Sequence, residues 1–210
     1  MSARPLRYTG ELARAYGVLA HERNIVAGNP ERWESEARDL SWYVPRRGRV
    51  LDIGCGAGRD AVLLPSVGFR YTGVDISCEM LAEARKLAPD ASFTRGDVYT
   101  LPFAGGMFDG FWAAASLLHI PRYYIGRVLS EVHRVLRPSG VGFIAMKEGV
   151  GERMVPGPLP GTDRFFSFWQ QGEFVATLRA QGFYVLDSCR RKLSPEDSTT
   201  WLTFFAQRIQ

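Results

Sequence analysis

Residues 49–60 read RVLDIGCGAGRD, a short apolar run containing an acid that passes directly into three glycines within five positions. A strand that closes on glycines before a helix lets backbone come close to a ligand, and it turns the free N–H groups at the helix start toward that ligand. Dinucleotides, phosphates and amino-acid carboxylates can all use such a turn, so the spacing has to select among them. No G-x-x-x-x-G-K-[ST] occurs, which removes the phosphate loop. The dinucleotide fingerprint G-x-G-x-x-G, counted from Gly54 and Gly56, needs a small residue at position 59, and the residue there is Arg59. Glycines at 54, 56 and 58 form G-x-G-x-G instead, a wider turn suited to a nucleoside with no pyrophosphate.

From residue 49 onward, β-branched or aromatic runs alternate with helical patterns: RVLDIG, FRYTGVD, ASFTRGDV, FDGFWAAAS and GVGFIAMK. That alternation predicts an α/β fold, a doubly wound and mostly parallel sheet with helices on both faces. The stretch PRYYIGRVLSEVHRVLRP predicts a helix started by Pro121 and stopped by Pro138 with Gly140. Ser77 is placed to cap a second helix, SCEMLAEARKLAP. Pro65, inside the helix after the glycine turn, predicts that this helix is short or bent. Residues 1–44 predict an N-terminal helical cap and 45–210 a single core. Within it, 149–170 is rich in glycine and proline with little periodicity, which predicts a long mobile lid loop. A helix around EFVATLRAQG and two strand-like runs, FYVLDSC and WLTFFAQR, end the chain.

At 210 residues, 46% of them hydrophobic, one domain with a substantial core is expected. The net charge is +4, but the basic residues are scattered with no basic block, which argues against nucleic-acid and membrane partners. The most apolar stretch, FWAAASLLHI, is too short to span a membrane, and the N-terminus shows no apolar signal core. Cys55, Cys78 and Cys189 are odd in number and lack C-x-x-C spacing, so neither a disulfide framework nor a metal site is expected. A soluble cytoplasmic protein fits these features.

Two further aspartates narrow the ligand. Asp75, at the end of the second strand and 21 residues beyond Gly54, is placed to grip ribose hydroxyls. Asp97, in TRGDVYTLPF at the end of the third, is placed to accept from an adenine amino group while the Val98 N–H reaches a ring nitrogen. At these residues the sequence resembles the class I S-adenosylmethionine-dependent methyltransferases. The resemblance rests on LDIGCGAG at 51–58, GVDIS at 73–77, GDVYTLPF at 96–103, FDGFWAAASLLHI at 108–120 and LRPSGVGFI at 136–144. It implies a Rossmann-like sheet of seven strands, parallel except for WLTFFAQR, with S-adenosylmethionine as cofactor and S-adenosylhomocysteine as product. It also implies Gly54, Gly56 and Gly58 against the methionine part, Asp52 near the amino group, Asp75 on the ribose, Asp97 on the adenine and Met80 on the adenine face. Cys55, Ile76, Val98 and Ala115 are expected as further cofactor contacts.

Methyl transfer from a sulfonium is an in-line displacement that gains mainly from alignment and a dry pocket. Where the acceptor must lose a proton, a general base adds roughly 10²- to 10⁴-fold. His119, just after the fourth strand at the ligand-binding edge, is the candidate base; His21 and His133 are expected at the surface or in packing. Lys147 and Glu148, just past the fifth strand, are placed to orient a polar substrate. Tyr16 and Phe166 are candidate substrate contacts within two aromatic groups, Tyr8, Tyr16, Trp42 and Tyr43 at the N-terminus and Phe165, Phe166, Phe168 and Trp169 after the Gly/Pro stretch. These aromatics could stack on a planar substrate or hold a cationic one.

The family's nucleic-acid amino-methylating members carry N/D-P-P-Y/F after the fourth strand, whereas this chain has AAASLLHI. The departure points to a small-molecule acceptor. KEGVGE at 147–152 resembles a bacterial subgroup whose acceptors are diverse, so it names no substrate. The expected function is methylation of a small molecule at oxygen, nitrogen, sulfur or carbon. Two alternatives stay open: a nicotinamide oxidoreductase, and a non-catalytic module that binds S-adenosylmethionine.

Overall fold

The computed structural model describes residues 5–20, 32–194 and 197–209, with side chains from Gly10 onward. Seven strands form one sheet: β1 (Arg49–Ile53), β2 (Arg70–Asp75), β3 (Ser92–Arg95), β4 (Phe108–Ala114), β5 (Leu136–Lys147), and, at the C-terminus, β8 (Phe183–Arg191) and β9 (Trp201–Arg208). Their order is β3-β2-β1-β4-β5-β9-β8, and β9, which is WLTFFAQR, runs antiparallel to both its neighbours. β1 lies between β2 and β4, and its Val50, Leu51 and Ile53 are fully buried, as expected of a parallel strand covered on both faces. The strand order reverses between β1 and β4, which opens a crevice at the C-terminal ends of these two strands.

The helices follow local chemistry. α1 (Pro5–Leu19) and α2 (Glu34–Leu40) make the N-terminal part; α2 buries Ala37 and Leu40 against the main core beside Trp33. Residues 1–4 and 21–31, including His21, lie outside the described residues. α3 (Asp60–Ser66) is indeed short, ending one residue after Pro65. α4 (Cys78–Leu87) is capped by Ser77, whose Oγ accepts the Met80 N–H at 3.2 Å. α5 (Arg122–Val135) buries Ile125, Val128, Leu129, Val132 and Val135 on one face. It stops earlier than Pro138 and Gly140 predicted, because Leu136 is already extended and pairs with Phe108 as the first residue of β5. Pro138 disfavours helical geometry at the residue before it, so the chain has left the helix before reaching it.

The segment 149–170 is not an irregular loop throughout. β6 (Glu152–Val155) and β7 (Arg164–Ser167) pair as an antiparallel ribbon, with Glu152 opposite Ser167 and Val155 opposite Arg164. Its prolines fall in the turn between the two strands, which Thr162 braces by donating to the Leu159 carbonyl at 2.6 Å while accepting the Leu159 N–H at 3.1 Å. The pairing buries Phe166 and Ser167 and leaves Arg153 stacked on Phe168 at 3.8 Å. Its four-residue strands are too short to show a clear alternating pattern. α6 (Gln171–Ala180) follows, with a capping box between Gln170 and Glu173, and leads into β8.

Candidate active site

A cavity of about 310 Å³ occupies the crevice at the strand reversal. It is lined by the turns after β1, β2, β3 and β4, by one face of α1, by Lys147 at the end of β5, by Arg164 and Phe166 of β7 and by Trp201 of β9. Of the expected cofactor contacts, Gly54, Cys55, Gly56, Asp75, Ile76, Met80, Asp97, Val98 and Ala115 all line it, as do His119, Tyr16, Lys147 and Phe166.

Asp52 and Gly58 do not. Asp52 is buried within the sheet, where it accepts the Tyr71 hydroxyl proton at 2.8 Å; burial, reinforced by the charge of Asp60, raises its pKa well above the usual carboxylate range. Asp52 lies within β1, short of Gly54 where the strand opens into the crevice, and its carboxylate is taken up by Tyr71 of the neighbouring strand. Gly58 (φ +85°) instead permits close packing, since a Cβ there would lie 2.9 Å from the Cβ of Ala84 in α4. Glu148 also misses the cavity and is paired with Arg190, Nε to Oε1 2.7 Å.

The glycine turn is built around contacts that exclude side chains at one position and leave room at another. Gly54 (φ +70°) sits against Ser116, where an added Cβ would fall 2.6 Å from the serine Cβ. Gly56 (φ +53°) faces open space, with nothing within 4 Å of an added Cβ. Asp75 joins this turn to the next: its Oδ2 accepts the Gly56 N–H at 2.8 Å and its Oδ1 the Ser77 N–H at 2.9 Å. Burial raises the Asp75 pKa, and the N–H groups of Ser77, Gly56 and Ile76 oppose that shift. A carboxylate has about four acceptor positions, so Asp75 keeps capacity for a hydroxyl donor beyond these N–H groups. Asp97 accepts the Tyr99 N–H at 3.0 Å and also lines the cavity.

Arg59, the residue that broke the dinucleotide pattern, lines the cavity too and is clamped on Asp60 by two contacts of 2.7 and 2.5 Å. Asp60 additionally accepts the Trp112 indole N–H at 2.9 Å. Ala115 adopts φ +63°, a left-handed conformation unusual for alanine, and lines the cavity beside Ser116, whose buried hydroxyl has no hydrogen-bond partner among the described residues. The orphaned Ser116 hydroxyl, the open face at Gly56 and the spare acceptor capacity of Asp75 fit a polar, hydroxyl-bearing nucleoside.

His119, in a single 3₁₀ turn (Leu117–His119), has both ring nitrogens engaged. Its Nδ1 lies 2.8 Å from the Phe165 carbonyl, which can only accept, so Nδ1 carries the proton. Nε2 then accepts from the Tyr16 hydroxyl, also at 2.8 Å. Burial lowers the His119 pKa to about 3, so the ring is neutral. Burial likewise raises the Tyr16 pKa, and the nearby Arg164 charge opposes it.

The aromatic faces of Phe166 and Tyr16 are covered by the chain's own cations. Lys147 Nζ lies 4.5 Å from the Phe166 ring centroid, and the Arg164 guanidinium lies 5.6 Å from Phe166 and 5.7 Å from Tyr16. The other expected aromatics do not line the cavity: Trp42 is 84% exposed, Tyr43 packs on Phe205, and Phe168 and Trp169 are buried in the core. The Tyr8 side chain lies outside the described residues.

Ser116, Arg164 and Trp201 were not anticipated. Ser116 follows Ala115 in the stretch after β4 and was within reach of the same reasoning. Arg164 and Trp201 carry no local signal, since they meet Lys147 only through the β6–β7 ribbon and through the register of β5 on β9, where Lys147 pairs with Trp201. Among the described residues no three His, Cys, Asp or Glu side chains converge to hold a metal, all three cysteines are free, and no helix is long and apolar enough to cross a membrane.

Comparison with known proteins agrees with this geometry. Residues 50–140 match the family model of a methyltransferase domain. The chain is 38% identical over 130 residues to a demethylmenaquinone methyltransferase of Beutenbergia cavernae, covering 62% of this chain and 52% of that protein. It is 34% identical over 126 residues to an uncharacterised methyltransferase of Synechocystis, covering 60% of this chain and 59% of that one. The chain therefore spans little more than half the length of these relatives. Among solved structures it superposes with a TM-score of 0.81 on the Burkholderia thailandensis 1,6-didemethyltoxoflavin-N1-methyltransferase, at 25% identity and covering 100% of this chain and 92% of that one. That structure holds 1,6-didemethyltoxoflavin and S-adenosylhomocysteine. Residues 50–140 thus carry a methyltransferase domain, and the motif order, sheet topology and cavity position are those of the class I S-adenosylmethionine-dependent methyltransferase fold.

Proposed function

We propose that the protein transfers the methyl group of S-adenosylmethionine to a small-molecule acceptor at oxygen, nitrogen, sulfur or carbon. The observation that carries this reading is the single cavity in which the glycine turn, Asp75 and Asp97 share one space with Tyr16, His119, Lys147 and Phe166. Gly54, Gly56, Asp75, Asp97, Val98 and Met80 would hold the cofactor, which when bound supplies an electrophilic methyl on sulfur. That the Burkholderia enzyme of the same fold binds 1,6-didemethyltoxoflavin together with S-adenosylhomocysteine supports a small molecule here.

α1 and the β6–β7 ribbon act as the cover that excludes water, an arrangement in which alignment and desolvation supply most of the rate. His119 works by orienting the Tyr16 hydroxyl. A base whose pKa lies near 3 holds an abstracted proton poorly, and its one free lone pair is already occupied. Tyr16 in turn positions the acceptor.

Calorimetric titration with S-adenosylhomocysteine, with NAD as the parallel ligand, tests the cofactor. Micromolar binding of the first and none of the second is expected; the reverse would overturn the reading. A screen of methyl acceptors with the loaded protein then separates an enzyme from a non-catalytic binder.

A further inference from the structure

Charge is partitioned across the cavity. Its carboxylates, Asp60, Asp75 and Asp97, sit on the β1–β3 side, and each is already engaged by a neighbouring backbone N–H or side chain. On the β5–β7 side the lining charges are Lys147 and Arg164, both half-buried and both facing the ring of Phe166, with Arg32 stacked on Trp201 beyond them. Neither forms an ion pair among the described residues, and the buried Nε of Arg164 has no hydrogen-bond partner there. Glu148, adjacent to Lys147 in sequence, is turned away onto Arg190. Of the charges acting on Lys147, Arg164, Arg32 and Arg153 repel it, and the attraction comes from Asp197, which lies at the surface.

Two like charges brought together at a half-buried wall raise the free energy of the empty site, and an anion placed between them lowers it. Much of the rest of that wall is apolar: Leu117, Leu118, Ile120 and Trp201 all line the cavity and are nearly inaccessible. A cationic acceptor would meet repulsion from Lys147 and Arg164 and would find the Phe166 and Tyr16 faces already covered. Water alone could solvate two cations in an open cleft, but here it would have to fill a largely apolar recess.

We infer that the acceptor carries an anionic group, a carboxylate or a phenolate, on an apolar body, and that Lys147 and Arg164 bind that group and select for it. This rests on the methyltransferase reading above. Lys147 supplies a point charge and Arg164 a planar fork that can take a carboxylate with two parallel hydrogen bonds. Phe166 holds the two cations in place before the acceptor arrives, so little ordering is left to the binding step.

The test is a calorimetric titration of the full chain at neutral pH, first saturated with S-adenosylhomocysteine, with four matched probes: 2-naphthoate, a nitro-substituted 2-naphthol that is already ionised at that pH, 2-naphthamide and 2-naphthylmethylammonium. At least one of the two anions should bind at least tenfold more tightly than the neutral amide, and the ammonium most weakly; which anion prevails distinguishes carboxylate from phenolate. Lys147→Met and Arg164→Met should each lower affinity for the preferred anion roughly tenfold, leave the amide unchanged, and leave S-adenosylhomocysteine binding intact. Lys147→Arg should restore the preference. Amide binding equal to both anions, a preference for the ammonium, no binding by any probe, or unchanged anion affinity in both methionine variants would overturn the inference. Absence of S-adenosylhomocysteine binding would instead overturn the cofactor reading, so the two failures are told apart by the first titration.

Discussion

The Tyr16 hydroxyl donates to His119 Nε2 at 2.8 Å, and the opposite ring nitrogen donates to the Phe165 carbonyl at the same distance. One neutral imidazole thereby ties α1 to the ribbon strand β7 across the mouth of the cavity. Tyr16 and Phe166 also approach His119 edge-on, with ring centroids 5.5 and 4.6 Å away.

If His119 orients Tyr16 rather than taking a proton, then Tyr16→Phe and His119→Gln should both reduce kcat/KM by a similar factor, and the double variant should lose little more than either alone. The wild-type pH–rate profile should show no histidine-like limb between about pH 5 and 8. A limb in that range that disappears in His119→Gln would make His119 the base.

The same histidine makes stability depend on pH. In the unfolded chain a histidine binds its proton below about pH 6.5, whereas His119 in the fold binds one only below about 3. Between those values the unfolded state holds more protons, so stability falls as pH is lowered from 6.5 toward 3, by up to about 1.4 kcal/mol per pH unit. Urea midpoints at about pH 7 and about pH 5 should fall less in His119→Gln than in the wild type.

Gly54 and Gly56 both have positive φ but differ in what surrounds them. Gly56→Ala incurs about 1–2 kcal/mol of left-handed strain and adds a methyl to open cavity, so ligand binding should suffer more than folding. Gly54→Ala adds an overlap with Ser116 and should cost about 1–3 kcal/mol more in stability. Ser116→Gly placed on Gly54→Ala should recover the overlap cost and leave the backbone strain. Chemical denaturation of the four proteins checks this.

Asp75 accepts two backbone N–H groups and keeps room for a ligand. Asp75→Ala should weaken S-adenosylhomocysteine binding by about 1–3 kcal/mol, the range for hydrogen bonds to a charged group. Unchanged affinity in calorimetry would remove Asp75 from the cofactor site.

Asp60 neutralises Arg59 and also accepts the Trp112 indole N–H. Asp60→Ala leaves a mostly buried guanidinium and a buried indole N–H without partners, and should cost about 3 kcal/mol. Asp60→Ala combined with Arg59→Met should recover much of that loss in a thermal melt, because no charge is then left unpaired.

Much of the framework was legible in the chain alone. The glycine spacing, the acids ending β2 and entering the turn after β3, the buried stripe of α5, the Ser77 cap and the brevity of the helix bearing Pro65 all follow from interactions a few residues long. Parallel-sheet topology followed from their order, and with it the crevice where Gly54, Gly56, Asp75 and Asp97 meet. Tertiary structure decided what neighbours in space rather than in sequence impose. Tyr16 and His119 stand 103 positions apart, Arg164 reaches Lys147 through the β6–β7 ribbon, and Asp52 is turned inward onto Tyr71. Periodicity and turn chemistry act locally, whereas which charge faces which, and whether a histidine keeps its proton, depend on burial and on distances that exist only once the strands have paired.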